Sequence, residues 1–517
     1  MIKTTIKKGA YFDSVSLMQV AKKLNAVPGV IDSAVVMATK ENKGIIKASG
    51  LLTPEILKAG DSDLAIAVSA KTRQALAAAF AAAEELLNKK PAQTQAGADR
   101  KAAGLEDAFK SLDGANLAVI SVAGRFAGAL AGECLGKGLN VMIFSDNVPV
   151  ETEVELKKAA VKKGLLVMGP DCGTAIINGA PIAFANSVNR GNIGVVAASG
   201  TGLQEVTALI SNEGAGISQA IGTGGRDVKL EVGALTFVQA LKMLAGDSAT
   251  DVLLMVSKPP HPAILRKIIS EVKRIKKPVV AVFLGGEIKE KVKDNFYPAR
   301  TLEEAAYKAA CLGKGWKVSK AREIIYDMNL KAEELARKEA VKKKKSRCLR
   351  GLFSGGTFVS EAQVILPELI GTVLSNAPLD KKFKLKDSLK LAGHAVIDLG
   401  EDEFTVGRPH PMIDFTLRNK MIVSEARKPE VSVLLLDLVL GYGSNLKPLE
   451  DILPPLAAAR RANRELTIVT SVTGTETDPQ VRSKVVKALE AAGVLVMPSN
   501  AGACRLAGEI IRLAAKR

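Results

Sequence analysis

Aromatic side chains make up only 4% of this 517-residue sequence, and one of them is a tryptophan. Proteins that bind nucleic acid by stacking interleave aromatic and basic residues, and no basic stretch here does so. The net charge of +18 therefore reads as a general positive field that draws anionic small molecules. Its densest run, Lys342-Lys-Lys-Lys345-Ser-Arg347, follows a charged helical stretch and reads as a solvated helix end and linker. No apolar run has the length of a membrane span. The longest, Val431 to Leu440, is interrupted by Ser432 and Asp437 and reads as a buried strand. The opening residues carry charge without an apolar segment behind them, so no secretory leader is expected and the cytoplasm is the expected location. The cysteines (Cys134, Cys172, Cys311, Cys348 and Cys504) are scattered and never spaced as C-x-x-C. That fits reduced thiols, and no metal site is expected.

What the chain does have is apolar residues, at 47%, and repeated alternation of short apolar runs with helical patterns. The expected class is α/β: several Rossmann- or flavodoxin-like parallel-sheet domains with a small α+β domain at the N-terminal end. Residues 1–110 read as that small domain, of ferredoxin-like kind, with a polar linker beginning at Lys89. Residues 111–190 read as a βαβαβ Rossmann-type domain with strands at Leu117 to Val122, Val141 to Ser145 and Leu165 to Met168. Its first turn lacks a full G-x-G-x-x-G, which weakens a dinucleotide reading. Residues 191–345 and 346–517 read as two further flavodoxin-type units.

Two turns stand out. In Ser199-Gly200-Thr201-Gly202 and Ser354-Gly355-Gly356-Thr357, an apolar strand passes into a helix through small residues. Such a turn leaves backbone N–H groups pointing outward at the positive end of the helix dipole, a seat for phosphate or carboxylate. It serves equally well as a plain tight connection. If the two starts face each other, their positive ends call for an anion between them. A third turn, Gly222-Thr223-Gly224-Gly225-Arg226-Asp227, is a candidate substrate contact together with Asp171 and Cys172. Its glycines allow close approach, and Arg226 supplies either a forked donor to an anion or a partner for Asp227.

Histidine is scarce. His261 and His394 sit at a strand end and a strand start and read equally as structural. His410, in Gly407-Arg408-Pro409-His410-Pro411, is the candidate catalytic histidine, with Arg408 beside it. Cys172 lacks an evident base and reads as readily as a small buried thiol.

Gly169-Pro-Asp-Cys-Gly173 resembles the G-P-N-C-x-G turn of the succinyl-CoA synthetase alpha subunit. Ala198-Ser-Gly-Thr201 and Gly222-Thr-Gly-Gly225 resemble that subunit's phosphate-binding helix start and its glycine turn. The stretch from Cys348 onward is similar to the CoA-ligase domain of the beta subunit. The detailed strings look like the FdrA family, across essentially all of the chain after residue 110. The synthetases carry a phosphoryl group on a histidine in a G-H-A-G-A loop. The corresponding place here reads Leu284-Gly-Gly-Glu-Ile-Lys-Glu-Lys-Val-Lys-Asp-Asn, without histidine, and no ATP-grasp pattern is present. The resemblance to FdrA implies a subunit of an oxamate carbamoyltransferase in allantoin and purine catabolism, with carbamoyl phosphate or phosphate as ligand and no certain cofactor. It also implies partner subunits and a homo-oligomer, and admits CoA. An acyl-CoA synthetase completed by a partner, or a non-catalytic binder of CoA or acyl phosphate, stays open beside it.

Overall fold

The computed structural model describes residues 1–10, 12, 14–88, 102, 104–286, 288, 292–343, 348–405 and 409–516. They fall into two compact units, Met1–Asp113 with Asp402–His410, and Gly114–Glu401 with Pro411–Arg517.

The first unit is built on an antiparallel sheet of β1 (Ile2–Lys7), β2 (Val30–Met37) and β3 (Leu64–Ala70), in the order β1-β3-β2. The central strand alternates. Leu64, Ile66 and Val68 face helices Ser14–Asn25 and Arg73–Asn88, while Ala65 and Ala67 face a second small cluster around Ile46, Leu51 and Ile56. The alanine-rich helix packs through Ala75, Ala79 and Ala83, spaced four apart on one face.

The second unit holds three sheets. Strands β4 (Leu117–Ile120), β5 (Asn140–Ile143) and β6 (Val167–Met168) form a small parallel sheet. A hairpin of β7 (Thr174–Ile177) and β8 (Ala180–Ala183) follows. The next strands are β9 (Arg190–Ala198), β10 (Ile217–Gly222), β11 (Val252–Ser257), β12 (Val279–Phe283) and β13 (Phe296–Ala299). These seven make one sheet ordered β13-β12-β11-β9-β10-β7-β8, parallel from β9 to β13, with β7 antiparallel to β10. The sheet boundary therefore differs from the expected division at residue 190, because the hairpin leaves the small sheet and joins the next one. Its Asn178-Gly179 corner has both φ angles positive, 50° and 82°, as a two-residue hairpin turn requires.

The third sheet contains β14 (Cys348–Phe353), β15 (Val373–Ser375), β16 (His394–Asp398), β17 (Val431–Val439), β18 (Thr467–Thr473) and β19 (Leu495–Met497). It is wholly parallel, ordered β15-β16-β14-β17-β18-β19. The chain reverses its direction of travel at β9 in one large sheet and at β14 in the other. Each is a topological switch point, where the crevice beyond the strand ends opens.

Helix Gly200–Asn212 leaves β9 and helix Gly356–Ile370 leaves β14. They pack with helices Leu302–Gly313 and Asn500–Ala515 into one core between the two sheets, joining Leu203, Val206 and Ile210 to Phe353, Phe358 and Leu506. Residues 201–211 of the first helix are all buried, which explains its lack of a charged face. Among the described residues, no helix is long and apolar enough to cross a membrane.

Candidate functional site

The two glycine-opened helices start against each other. Ser199 Oγ and Thr357 Oγ1 lie 2.6 Å apart in a hydrogen bond. Glycine is required by this closeness. A Cβ on Gly202 would sit 2.4 Å from Ser199 Oγ and 3.1 Å from Thr357 Cγ2, and one on Gly355 would sit 2.7 Å from Thr201 Cγ2. Ser199 caps its helix by accepting from the Gly202 amide at 3.1 Å. The amides of Gly200, Thr201, Gly356 and Thr357 have no acceptor among the described residues, as expected for first-turn donors. Ser199, Gly200 and Gly356 keep some accessible surface, so this meeting point is an open mouth at the sheet edges.

The second turn is already compensated from within. The Ser354 amide and hydroxyl donate to Asp437 at 2.8 and 2.7 Å, and the Gly355 amide donates to it at 3.0 Å. Asp437 also pairs with Arg418 at 3.1 Å, and both are 1% exposed. The expectation that Ser354 and Gly355 offer donors to phosphate is thereby corrected, since a carboxylate of the chain holds them. A second carboxylate stands beside it. Asp398, at the end of β16, accepts from the Gly400 amide at 2.8 Å. A Cβ on Gly356 would lie 2.2 Å from its other oxygen. Burial, followed by the charge of Glu401, pushes the Asp398 carboxyl up to about 7, against the pull of Lys258 at the end of β11.

The helix starts thus face each other with two of the chain's own carboxylates, Asp437 and Asp398, beside them. Dipole charges contribute about 1 kcal/mol or less each. Each buried Leu, Val or Phe of the shared core contributes about 1.5–3 kcal/mol, so packing decides the arrangement, helped by Asp437 and Asp398.

Further into the seam the two halves cap each other. Glu205 accepts from the Asn500 amide at 2.9 Å and from Thr473 at 2.5 Å. Glu361 accepts from the Leu302 amide at 2.7 Å and from the Asn500 side chain at 2.8 Å. Glu303 accepts from Ser499 and Arg505. Burial raises Glu205 to about 7 and Glu361 to about 8.

The third turn plays a structural part. Cβ atoms on Gly222 and Gly224 would strike Thr174 O at 2.2 Å and Pro170 O at 2.4 Å, so these glycines admit the neighbouring turn. Thr223 is buried, while Gly225 is exposed with open space around it. Arg226 binds Glu153 at 2.9 Å and the Val148 carbonyl at 2.8 Å, which corrects the expected pairing with Asp227. Asp227 is held by buried Lys157 at 2.8 Å and caps the Phe237 amide at 2.7 Å. Asp171 is exposed. Cys172 is buried against Gly222, and burial pushes its thiol up to about 12, so it stays protonated and is a poor nucleophile.

His410 is grouped with the first unit. Some of its surface stays accessible, yet burial pushes its imidazole down to about 4. Arg408 lies outside the described residues. His261 caps helix Pro262–Val272 through the Ala263 amide, and His394 accepts from the Leu349 amide, both in structural roles. Asp398, Asp437, Arg418 and Lys258 were not singled out from sequence. The signal available for Asp398 and Lys258 was their place at the carboxyl ends of parallel strands.

Parallel α/β sheets joined through facing glycine-opened helices give the chain a CoA-ligase-like fold. Residues 352–510 match the CoA-ligase family model, and residues 1–103 match the model described as "AllF, heavy metal-associated domain". The chain belongs to the FdrA-like family that includes Escherichia coli YahF, an uncharacterised protein. The two are 42% identical over 515 residues, covering 99% of this chain and 98% of that one. The succinate–CoA ligase alpha subunit 1 of Archaeoglobus fulgidus is 29% identical over 175 residues, 33% of this chain and 58% of its own length. An acetyl-coenzyme A synthetase of Ca. Korarchaeum cryptofilum covers 78% of this chain and 84% of its own at 15% identity, with a TM-score of 0.32. The stretch matched to the heavy metal-associated model contains neither cysteine nor histidine, the ligands that soft and borderline ions favour. Among the described residues, no group of three or more His, Cys, Asp or Glu is placed to hold a metal ion.

Proposed function

We propose that the chain is a subunit of a cytoplasmic enzyme that moves an acyl group to or from phosphate at the Gly200–Gly356 mouth. On this reading the acyl group is carbamoyl, with carbamoyl phosphate and oxamate giving oxalurate and phosphate. The observation that carries it is the meeting of two helix starts whose Gly200, Thr201, Gly356 and Thr357 amides lack acceptors among the described residues. Preorganised amides of this kind stabilise phosphate oxygens as charge builds on them. The oxamate nitrogen attacks the carbamoyl carbon, the carbon–oxygen bond to phosphate breaks, and the nitrogen's proton ends on the released phosphate. No phosphohistidine is needed, consistent with the absence of histidine from residues 284–295. Partner subunits and copies of this chain would supply whatever else the reaction requires.

A second reading is favoured by the CoA-ligase match over residues 352–510. There CoA is a substrate, and a partner brings the nucleotide site and the phosphoryl carrier. One assay separates them. The protein, purified with whatever accompanies it, is given carbamoyl phosphate and oxamate, or CoA, ATP and succinate. Phosphate release dependent on oxamate supports carbamoyl transfer. Thioester formation overturns it in favour of the ligase. Binding of CoA or acyl phosphate without turnover of either set overturns both in favour of a regulator.

A further inference from the structure

We infer that the Gly200–Gly356 mouth takes its oxyanion together with a proton, which Asp398 accepts. The inference rests on the reading of the mouth as an anion seat and adds a condition on when that seat is open. Its basis is geometric. Asp398 is 4% exposed. Its Oδ1 is held by the Gly400 amide at 2.8 Å. Its Oδ2 has no hydrogen bond among the described residues and lies over the first residue of the Gly356 helix, 2.2 Å from where a Cβ would stand. A charged carboxylate there fills the positive helix end with the chain's own anion. A second oxyanion on the adjoining amides must then share the site with it.

The surroundings favour giving up that charge. Glu401, from the loop after β16, and Asp437, from β17, both oppose ionisation of Asp398. Arg418, the partner of Asp437, is engaged by that carboxylate. Lys258, from the end of β11, favours ionisation but is exposed to solvent. Burial is the largest influence and holds the group near 7. Neutral Asp398 removes the competing charge, so an oxyanion and a proton bind together and each raises affinity for the other.

Sulfate is the probe, because its own charge is constant between pH 5.5 and 8.5. Titration calorimetry on the full chain at fixed ionic strength should show affinity falling about tenfold per pH unit above the transition, with about one proton taken up per sulfate at pH 8. In Asp398→Asn the affinity should be flat with pH and about tenfold above wild type at pH 8. If Asp398→Asn does not fold, Glu401→Gln at an exposed position keeps the test. Loss of that negative neighbour should move the fall in affinity to lower pH. A flat wild-type profile, no sulfate binding below pH 6, a persistent slope in Asp398→Asn, or an unshifted profile in Glu401→Gln would each overturn the inference. Carbamoyl transfer with flat sulfate binding removes this inference and leaves the proposed function. Coupled binding without any transfer does the reverse.

Discussion

The Gly200 and Gly356 helices both open Gly-Thr, and both carry a glutamate four residues after that threonine, Glu205 in one and Glu361 in the other. Both glutamates cap the start of a helix in the opposite half. The turns before them nevertheless solve the same electrostatic problem differently. The first is capped by its own serine hydroxyl. The second is capped by Asp437, which in turn needs Arg418. Two similar strings thus give one start capped by its own hydroxyl and one whose Ser354 and Gly355 donors are held by a carboxylate of the chain. A glycine-opened helix marks where an anion is welcome; the neighbouring strand decides whether the chain supplies that anion itself.

Breaking the second start should have the largest effect. Arg418→Ala leaves Asp437 as a buried unpaired charge, which costs about 3–5 kcal/mol. Chemical denaturation should show the loss, and Ser199→Ala, which removes a neutral cap and the hydrogen bond to Thr357, should cost about 1–2 kcal/mol. If the two variants lose equal stability, the distinction between the starts fails. Next come the close approaches. Gly202→Ala and Gly355→Ala should each cost about 1–3 kcal/mol by overpacking, read as a lowered unfolding midpoint.

The glutamates sharpen the likeness between the starts. Both are raised in the folded protein, Glu205 to about 7 and Glu361 to about 8, from an ordinary 4.5. The folded state therefore holds their protons more tightly than the unfolded one. Their contribution to stability is complete below about 4.5 and is lost as pH rises through 7 and 8. Thermal melts from pH 5 to pH 9 should decline, and the Glu205→Gln, Glu361→Gln double variant should flatten that part of the slope. The smallest effect on stability belongs to Gly200→Ala. A Cβ there meets Thr174 Oγ1 at an ordinary 3.4 Å, so the change should stay within about 0.5 kcal/mol. Gly356→Ala should cost more, because its Cβ displaces Asp398. Gly200 is thus the position at which bulk tests the anion seat with least disturbance to folding.

The parallel strands were legible because a strand buried on both faces leaves a near-continuous apolar run. The run from Val431 became β17 almost unchanged. The same run shows where legibility stops. Asp437 looked like an interruption of it, and is the cap of the neighbouring strand's turn. That role depends on which strand lies next to β17, which strand-by-strand reading does not supply. The hairpin at Thr174–Ala183 carried its Asn-Gly signal in plain view. Its strands are only four residues each, too short for their alternation to stand out. Arg226 was legible as a cation and illegible as a partner, since Glu153 lies far off in sequence on helix Val150–Lys162. Prolines stiffen the loop of His410, but stiffness does not say which groups a loop faces.

The reciprocal caps have one further consequence. Glu205 serves the Asn500 helix and Glu361 serves the Leu302 helix, so neither half has a complete set of helix ends by itself. Such a surface behaves like the contact between two separate polypeptides, enclosed here in one. Enclosure frees its assembly from dilution, because each half sees the other at a fixed effective concentration. A backbone cut between helix Lys320–Ala340 and β14 should therefore yield two fragments that stay associated and acquire a concentration-dependent melting temperature.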